Sequence, residues 1–194
     1  MNLLTDQLPS IIDIDGRRWP VRTDFRACLK TILAFEDPDL TSQEKQAILL
    51  RNVYLETPPD FEKASKAAIK FLNGGQESEE ADGQRLYSFS KDASFIYSAF
   101  RQTHGVDLTT AQMHWWQFLA LFMDLGADTV FCNMVSFRKR YQNGKLTKEE
   151  RREYNENRDL FDLPEIDTRT LEEKERYDEF MRQAKEGKYK EQIP

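Results

Sequence analysis

Apolar residues follow helical spacing along most of the first 145 residues, and this pattern predicts a mainly α-helical protein. Six amphipathic helices are expected, over roughly residues 25–36, 41–55, 60–73, 90–104, 109–125 and 128–142. The residues predicted to cap them are Thr23-Asp24, Thr41, Asp60, Ser90, Thr109 and Asp128. The predicted inward faces include Leu33, Phe61 and Val130.

The clearest strand signal lies near the N-terminus, in residues 11–21. Two short apolar segments flank Asp15-Gly16, a pair that readily adopts the positive φ angles of a type I′ turn. Pro20 has no amide donor, so the second strand is expected to end there or to lie at an edge. An isolated hairpin is marginal in water, so we expect it to pack against the helices. The predicted fold is a single helical domain with an N-terminal β-hairpin.

The predicted helix over residues 109–125 is apolar on most of its circumference. Thr109 and Gln112 have the spacing of a capping box, with Leu108 and Met113 as the accompanying hydrophobic pair. Such a helix is typical of a protein core, but it also suits a groove or an oligomer interface, because Trp and Met are favoured at binding surfaces. The alternative makes Met113, Trp116 and Met123 candidate partner-binding residues.

Two segments depart from this helical pattern. Residues 74–84 contain four acidic and no large apolar residues, which predicts a mobile acidic loop within the core domain of residues 1–145. Residues 146–194 carry 11 basic and 15 acidic residues, which predicts a charged helical tail, partly disordered. Capping boxes at Thr147 and Thr170 mark two exposed helices there. Tyr177, Phe180 and Met181 form a thin apolar edge and are further candidate partner-binding residues.

Composition limits the classes of function. The net charge of −6 disfavours non-specific binding to nucleic acid. The basic cluster Arg138-Lys139-Arg140 has two interpretations: cations that the helix dipole favours in the last turn of a helix, or a local contact to a phosphate. His104 and His114 belong to no metal or catalytic motif, and we expect capping or surface roles for them. No nucleophile elbow, phosphate loop or catalytic carboxylate pair is recognisable. We therefore expect a protein that is not an enzyme and binds no cofactor or metal.

The expected location is the cytoplasm. Residues 1–6 lack the basic start and apolar stretch of a signal peptide, and no apolar run approaches the roughly 20 residues that cross a bilayer. Cys28 and Cys132 are isolated in apolar helical segments, so they are expected to be buried thiols of a reducing compartment.

Several short segments together resemble the bacteriophage gene-product-15 family. They lie, in family order, at residues 14–16, 23–26, 89–92, 96–100, 104–109, 114–118 and 137–138. The most specific are Gly105-Val106-Asp107-Leu108 and His114-Trp115-Trp116-Gln117-Phe118. The resemblance covers about residues 1–142 and does not extend into the charged tail.

The resemblance implies a role in phages or prophages. Members of this family have no established enzymatic activity, and their genes lie in the tail-morphogenesis region near the tape-measure gene. Tail assembly chaperones hold a similar position, so the resemblance implies a chaperone that binds the tape-measure protein or other tail proteins and oligomerises or coats its client. The alternatives are a structural tail or head–tail component of the virion and, third, a nucleic-acid-binding regulator.

Overall fold

The computed structural model describes residues 2–77 and 85–164. These residues form one β-hairpin and eight helices, so the predicted mainly α fold is confirmed. The elements are β1 (Ile11–Ile14), β2 (Arg17–Pro20), α1 (Phe25–Glu36), α2 (Ser42–Val53), α3 (Phe61–Leu72), α4 (Ala93–His104), α5 (Trp115–Met123), α6 (Val130–Gln142), α7 (Lys148–Glu156) and α8 (Arg158–Phe161). No helix in this part of the chain is long and apolar enough to cross a membrane.

The hairpin is built as its turn residues predict. Asp15 and Gly16 have φ angles of 52° and 79°, and the Asp13 carboxylate accepts a hydrogen bond from the Gly16 amide. The strands are antiparallel, with Ile11 opposite Pro20. Trp19 is buried and belongs to the main core, so the hairpin is held by the helices that follow.

The main core is centred on Phe118 of α5, which is completely buried. Its ring stacks on Phe25 from α1 and on Phe100 from α4, each with a centroid distance of 5.1 Å. Trp115 stacks on the same ring at 5.4 Å. The interpretation of this segment as a central core helix is confirmed, because three helices meet at one residue of α5.

Three predicted helix starts are wrong, and the largest error concerns α5. This helix begins at Trp115, because His114 is its N-cap and forms a capping box with Gln117. Thr109 instead donates hydrogen bonds from its amide and hydroxyl to Asp107, within a turn. The other two errors are small: the N-caps of α4 and α6 are Asp92 and Thr129, not Ser90 and Asp128.

Three apolar residues predicted to face the core are exposed. Leu33 of α1, Phe61 of α3 and Val130 of α6 are 38%, 57% and 57% exposed. Phe61 and Val130 are the first residues of their helices, and the buried positions of those helices begin at Ala64 and Phe131. On α1 the buried stripe runs instead through Phe25, Cys28, Thr31 and Ala34.

The helices after residue 145 pack on the domain through a second, smaller core. Leu146, Tyr154 and Phe161 are buried there against Phe137 and Tyr141 of α6. The predicted capping box of Thr147 and Glu150 starts α7. The predicted second tail helix, from Thr170, and residues 78–84 of the predicted acidic loop lie outside the described residues.

Candidate interaction surfaces

Two of the predicted partner-binding residues are built into the frame of the domain. The Trp116 indole N–H donates to the Phe71 carbonyl at 2.8 Å, and the Trp115 indole donates to that of Leu72 at the same distance. The two indoles thereby bond to carbonyls in the last turn of α3, where the Phe71 carbonyl also accepts from the Gly74 amide. Met113 lies before α5 and its carbonyl accepts from the Phe25 amide. The predicted stripe of Met113, Trp116 and Met123 is therefore not one free surface.

Met123 is the exposed member of that set. It is the last residue of α5, and 83% of it is accessible to solvent. An exposed methionine provides a flexible, polarisable contact that adapts to an apolar partner. The other predicted contact residues, Tyr177, Phe180 and Met181, lie outside the described part of the chain.

A second apolar surface lies between the end of α1 and the adjoining faces of α2 and α3, and we name it the α1–α3 groove. Its volume is about 340 Å³, and it is lined by Phe35, Ser42, Gln43, Gln46, Leu49, Ser65 and Ile69. None of these lining residues is charged. Phe35 is 37% exposed, so an aromatic ring is available at the surface of the groove. An uncharged, apolar groove of this kind suits the apolar edge of a helix.

Hydrogen bonds hold the polar side chains of the groove in place. The Gln46 amide donates to the Ser65 hydroxyl at 3.0 Å, which in turn donates to the Phe61 carbonyl at 2.7 Å. Lys45 turns away from solvent and donates to the Phe35 carbonyl at 3.2 Å. This places a cation at the C-terminus of α1, where the helix dipole favours it.

This groove is not predicted by the sequence pattern. Phe35 is an apolar residue outside the predicted inward face of α1. An apolar residue on the outward face of a helix was the one sign in the sequence of an exposed apolar surface here. The remaining lining residues come from two other helices, whose mutual placement is not encoded by the periodicity of either one.

The predicted basic cluster is not a continuous surface. Arg138 is 1% exposed and pairs with Asp92 through two hydrogen bonds. Arg140 forms an ion pair with Glu150 at 2.6 Å. Lys139 is the exposed member of the cluster, so this segment does not present three free cations to a phosphate backbone.

Both histidine side chains form hydrogen bonds with backbone groups. His114 Nδ1 accepts from the Trp116 amide at 3.0 Å, so Nε2 carries the proton and donates to the Pro9 carbonyl at 2.9 Å. His104 is the last residue of α4, and its Nε2 lies 2.9 Å from the carbonyl of Leu121 in α5. His114 is the N-cap within the capping box of α5, whereas the predicted start at Thr109 placed it on the polar strip inside that helix.

The two cysteines are free thiols, as expected. Cys28 is fully buried, and this burial raises the pKa of its thiol to about 12, with the nearby Asp24 carboxylate adding to the effect. A thiol with such a pKa stays protonated and unreactive at neutral pH. Among the described residues, no group of three or more His, Cys, Asp or Glu side chains is placed to hold a metal ion.

Comparison with known proteins identifies the family. No curated protein and no solved structure gives a significant match. The sequence model of one family, described as "Bacteriophage Gp15 protein", matches residues 4–163. The match extends past the resemblance seen in the sequence and includes α7 and α8, which pack on α6. The chain therefore belongs to the bacteriophage Gp15 protein family.

Proposed function

We propose that this phage protein is a non-enzymatic tail morphogenesis factor, a chaperone that binds the tape-measure protein in the cytoplasm of the bacterial host. The observation that carries the proposal is membership of the Gp15 family over residues 4–163. The resemblance to that family implies a gene position near the tape-measure gene, where tail assembly chaperones are encoded. The proposal explains why a small acidic protein keeps uncharged apolar surface accessible.

The chemistry expected of the client supports this proposal. A tape-measure protein is a long helical rod with apolar edges, which aggregate unless they are covered. A net charge of −6 keeps the complex soluble, while the α1–α3 groove accepts an apolar helix edge without burying a charge. Many weak contacts along one rod act together, so each site needs only modest affinity.

The direct test is co-expression with the tape-measure protein encoded by the same phage or prophage. The expected result is that the tape-measure protein stays in the soluble fraction and co-purifies with this chain. A tape-measure protein that is equally insoluble with and without the chain would overturn the proposal. Mass spectrometry of purified virions separates a chaperone, which is missing from the particle, from a structural tail component, which remains.

The surface is tested by charge substitutions at matched positions. Phe35→Glu places a charge in the α1–α3 groove, whereas Leu33→Glu changes an equally exposed apolar residue of the same helix that does not line the groove. We expect Phe35→Glu to abolish co-purification and Leu33→Glu to retain it. Met123→Asp tests the end of α5 in the same assay. Retention by both Phe35→Glu and Met123→Asp would exclude both surfaces.

A further inference from the structure

The helices α7 and α8 lie across the end of the domain as a strap, which we define as residues 145–164. Three side chains of the strap are buried, those of Leu146, Tyr154 and Phe161. They pack on Phe137 and Tyr141 of α6 in a small core of their own, separate from the main core around α5. The strap is therefore held by much less buried apolar surface than the helices of the main core.

Cations of the domain hold the C-terminal end of the strap by its backbone. Lys91 and Arg138 together donate to the carbonyls of four successive residues, Asp159, Leu160, Phe161 and Asp162. The last carbonyls of a helix lack intrahelical donors, and positive charge is favourable beside them. The ion pair between Arg140 and Glu150 links α6 to α7 as well, but it is partly exposed and adds little stability.

Removal of the strap from this position leaves the buried ion pair of the domain intact. Arg138 keeps both hydrogen bonds to Asp92 and its hydrogen bond to the Leu86 carbonyl, and neither partner belongs to the strap. Lys91 is already partly exposed, so its ammonium group exchanges two carbonyl partners for water. The polar contacts of the strap are therefore replaced by hydration at a small net cost.

Arg85 adds a cost to the closed position of the strap. Its Nη2 donates to the carbonyl of Pro164, the last residue of the strap, at 3.0 Å. Its Nη1 is closed to solvent and has no hydrogen-bond partner, and it is the one buried side-chain polar atom of residues 2–77 and 85–164 in that condition. A buried donor without an acceptor is costly, and the cost is larger for a charged group. Departure of the strap lets water reach the guanidinium and relieves this cost.

We infer that the strap opens from the domain as one unit while the main core stays folded. The hinge is the exposed bend at Asn143-Gly144, where α6 ends, and rotation there disturbs no buried side chain. The open state uncovers the aromatic face of α6 that Phe137 and Tyr141 form beneath the strap. The strap is thus a lid, and its docking controls the exposure of that face.

Hydrogen–deuterium exchange of the full-length chain, resolved by NMR at low urea concentrations, tests this inference. We expect the amides of α7 and α8 to exchange at least about 100-fold faster than those of α5, with one urea dependence shared by both strap helices. Lys91→Met removes two hydrogen bonds to the strap, so it is expected to accelerate exchange in the strap about tenfold and to leave α5 unchanged. Lys139→Met, at an exposed lysine of α6, is the matched control and is expected to change neither.

Three outcomes overturn the inference. Equal protection and equal urea dependence of α5, α7 and α8 would mean that the strap unfolds only with the whole domain. Faster exchange in α8 than in α7 would mean that the segment frays from its C-terminal side and does not open as a unit. Equal acceleration of α5 and the strap by Lys91→Met would mean that this lysine stabilises the entire domain. Acceleration shared by α7 and α8 and missing from α5 supports the strap.

Discussion

The guanidinium of Arg138 meets the carboxylate of Asp92 in a two-point ion pair, with N···O distances of 2.7 and 2.9 Å. Both side chains are 1% exposed. The same guanidinium donates to the Phe161 carbonyl at 2.6 Å and to the Leu86 carbonyl at 3.2 Å. One arginine thus links the start of α4, the middle of α6 and the end of α8.

This relationship predicts that Arg138→Met is strongly destabilising. The substitution leaves the Asp92 carboxylate buried without its ion-pair partner and removes the donor from three carbonyl groups, those of Leu86, Leu160 and Phe161. Breaking a buried pair in this way costs about 3–5 kcal/mol. Urea denaturation measures the loss as a lower free energy of unfolding.

The control for Arg138 is its neighbour in the same helix. Arg140 pairs with Glu150, but its side chain is 41% exposed, so Arg140→Met is expected to cost less than about 1 kcal/mol. Equal losses for the two variants would contradict a dominant role for the buried pair. A double variant with Asp92→Leu is expected to recover part of the loss, because it removes the unpaired carboxylate as well.

The sequence predicts the hairpin, the helix positions and several caps correctly because these depend on neighbours in the chain. Asp15-Gly16 determines its own turn, and Thr41 forms a capping box with Glu44 three residues later. Arg138 was interpreted from its helix alone, and its partner is 46 residues away. The α1–α3 groove was missed for the same reason, since it is formed by residues that are distant in sequence.

The start of α5 shows how two local signals compete. Thr109 with Gln112 and His114 with Gln117 have the same spacing, and only the second pair forms the capping box. Asp107 engages the Thr109 hydroxyl, while His114 is fixed by the Pro9 carbonyl. A contact with residue 9 is not visible in the local pattern, so a cap chosen on spacing alone was wrong.

The corrected start of α5 predicts the effect of alanine substitutions. His114→Ala removes the acceptor of the Trp116 amide and the donor to Pro9, so we expect a loss of about 1–2 kcal/mol in the free energy of unfolding. His114→Asn keeps an N-cap acceptor and is expected to retain part of this stability. Thr109→Ala is the control, with a smaller loss expected in the same denaturation series. A larger loss for Thr109→Ala than for His114→Ala would place the cap at Thr109 after all.

Gly75 predicts a second local sensitivity, just after α3. Its φ angle is 87°, and a Cβ atom at this position would lie 2.9 Å from Cη2 of Trp116. Gly75→Ala therefore combines backbone strain with displacement of the indole that donates to Phe71, and we expect a loss of about 2–3 kcal/mol with a shift in tryptophan fluorescence. Gly144→Ala is the matched control, because Gly144 has a φ angle of 66° but open space around its Cα. It is expected to cost about 1 kcal/mol and to leave the fluorescence unchanged.

Three carboxylates, one exposed and two partly buried, predict how stability depends on pH. Hydrogen bonds from Thr41 lower the pKa of Glu44, those from Thr109 lower the pKa of Asp107, and the Thr147 amide together with Arg140 lowers the pKa of Glu150. A carboxylate with a lowered pKa in the folded state stabilises it fully above its unfolded pKa and loses this contribution as pH falls through the folded value. Stability is therefore expected to decline from roughly pH 5 downwards.

Replacing the capping glutamates separates their contribution from the rest of the acid transition. Glutamine keeps the hydrogen bond of a capping box but does not titrate, so Glu44→Gln and Glu150→Gln are each expected to reduce the fall in Tm between pH 7 and pH 3. Glu149→Gln is the control, since Glu149 lies in the first turn of α7 and accepts no hydrogen bond among the described residues. An unchanged pH dependence in both capping variants would show that acid unfolding is governed by other groups.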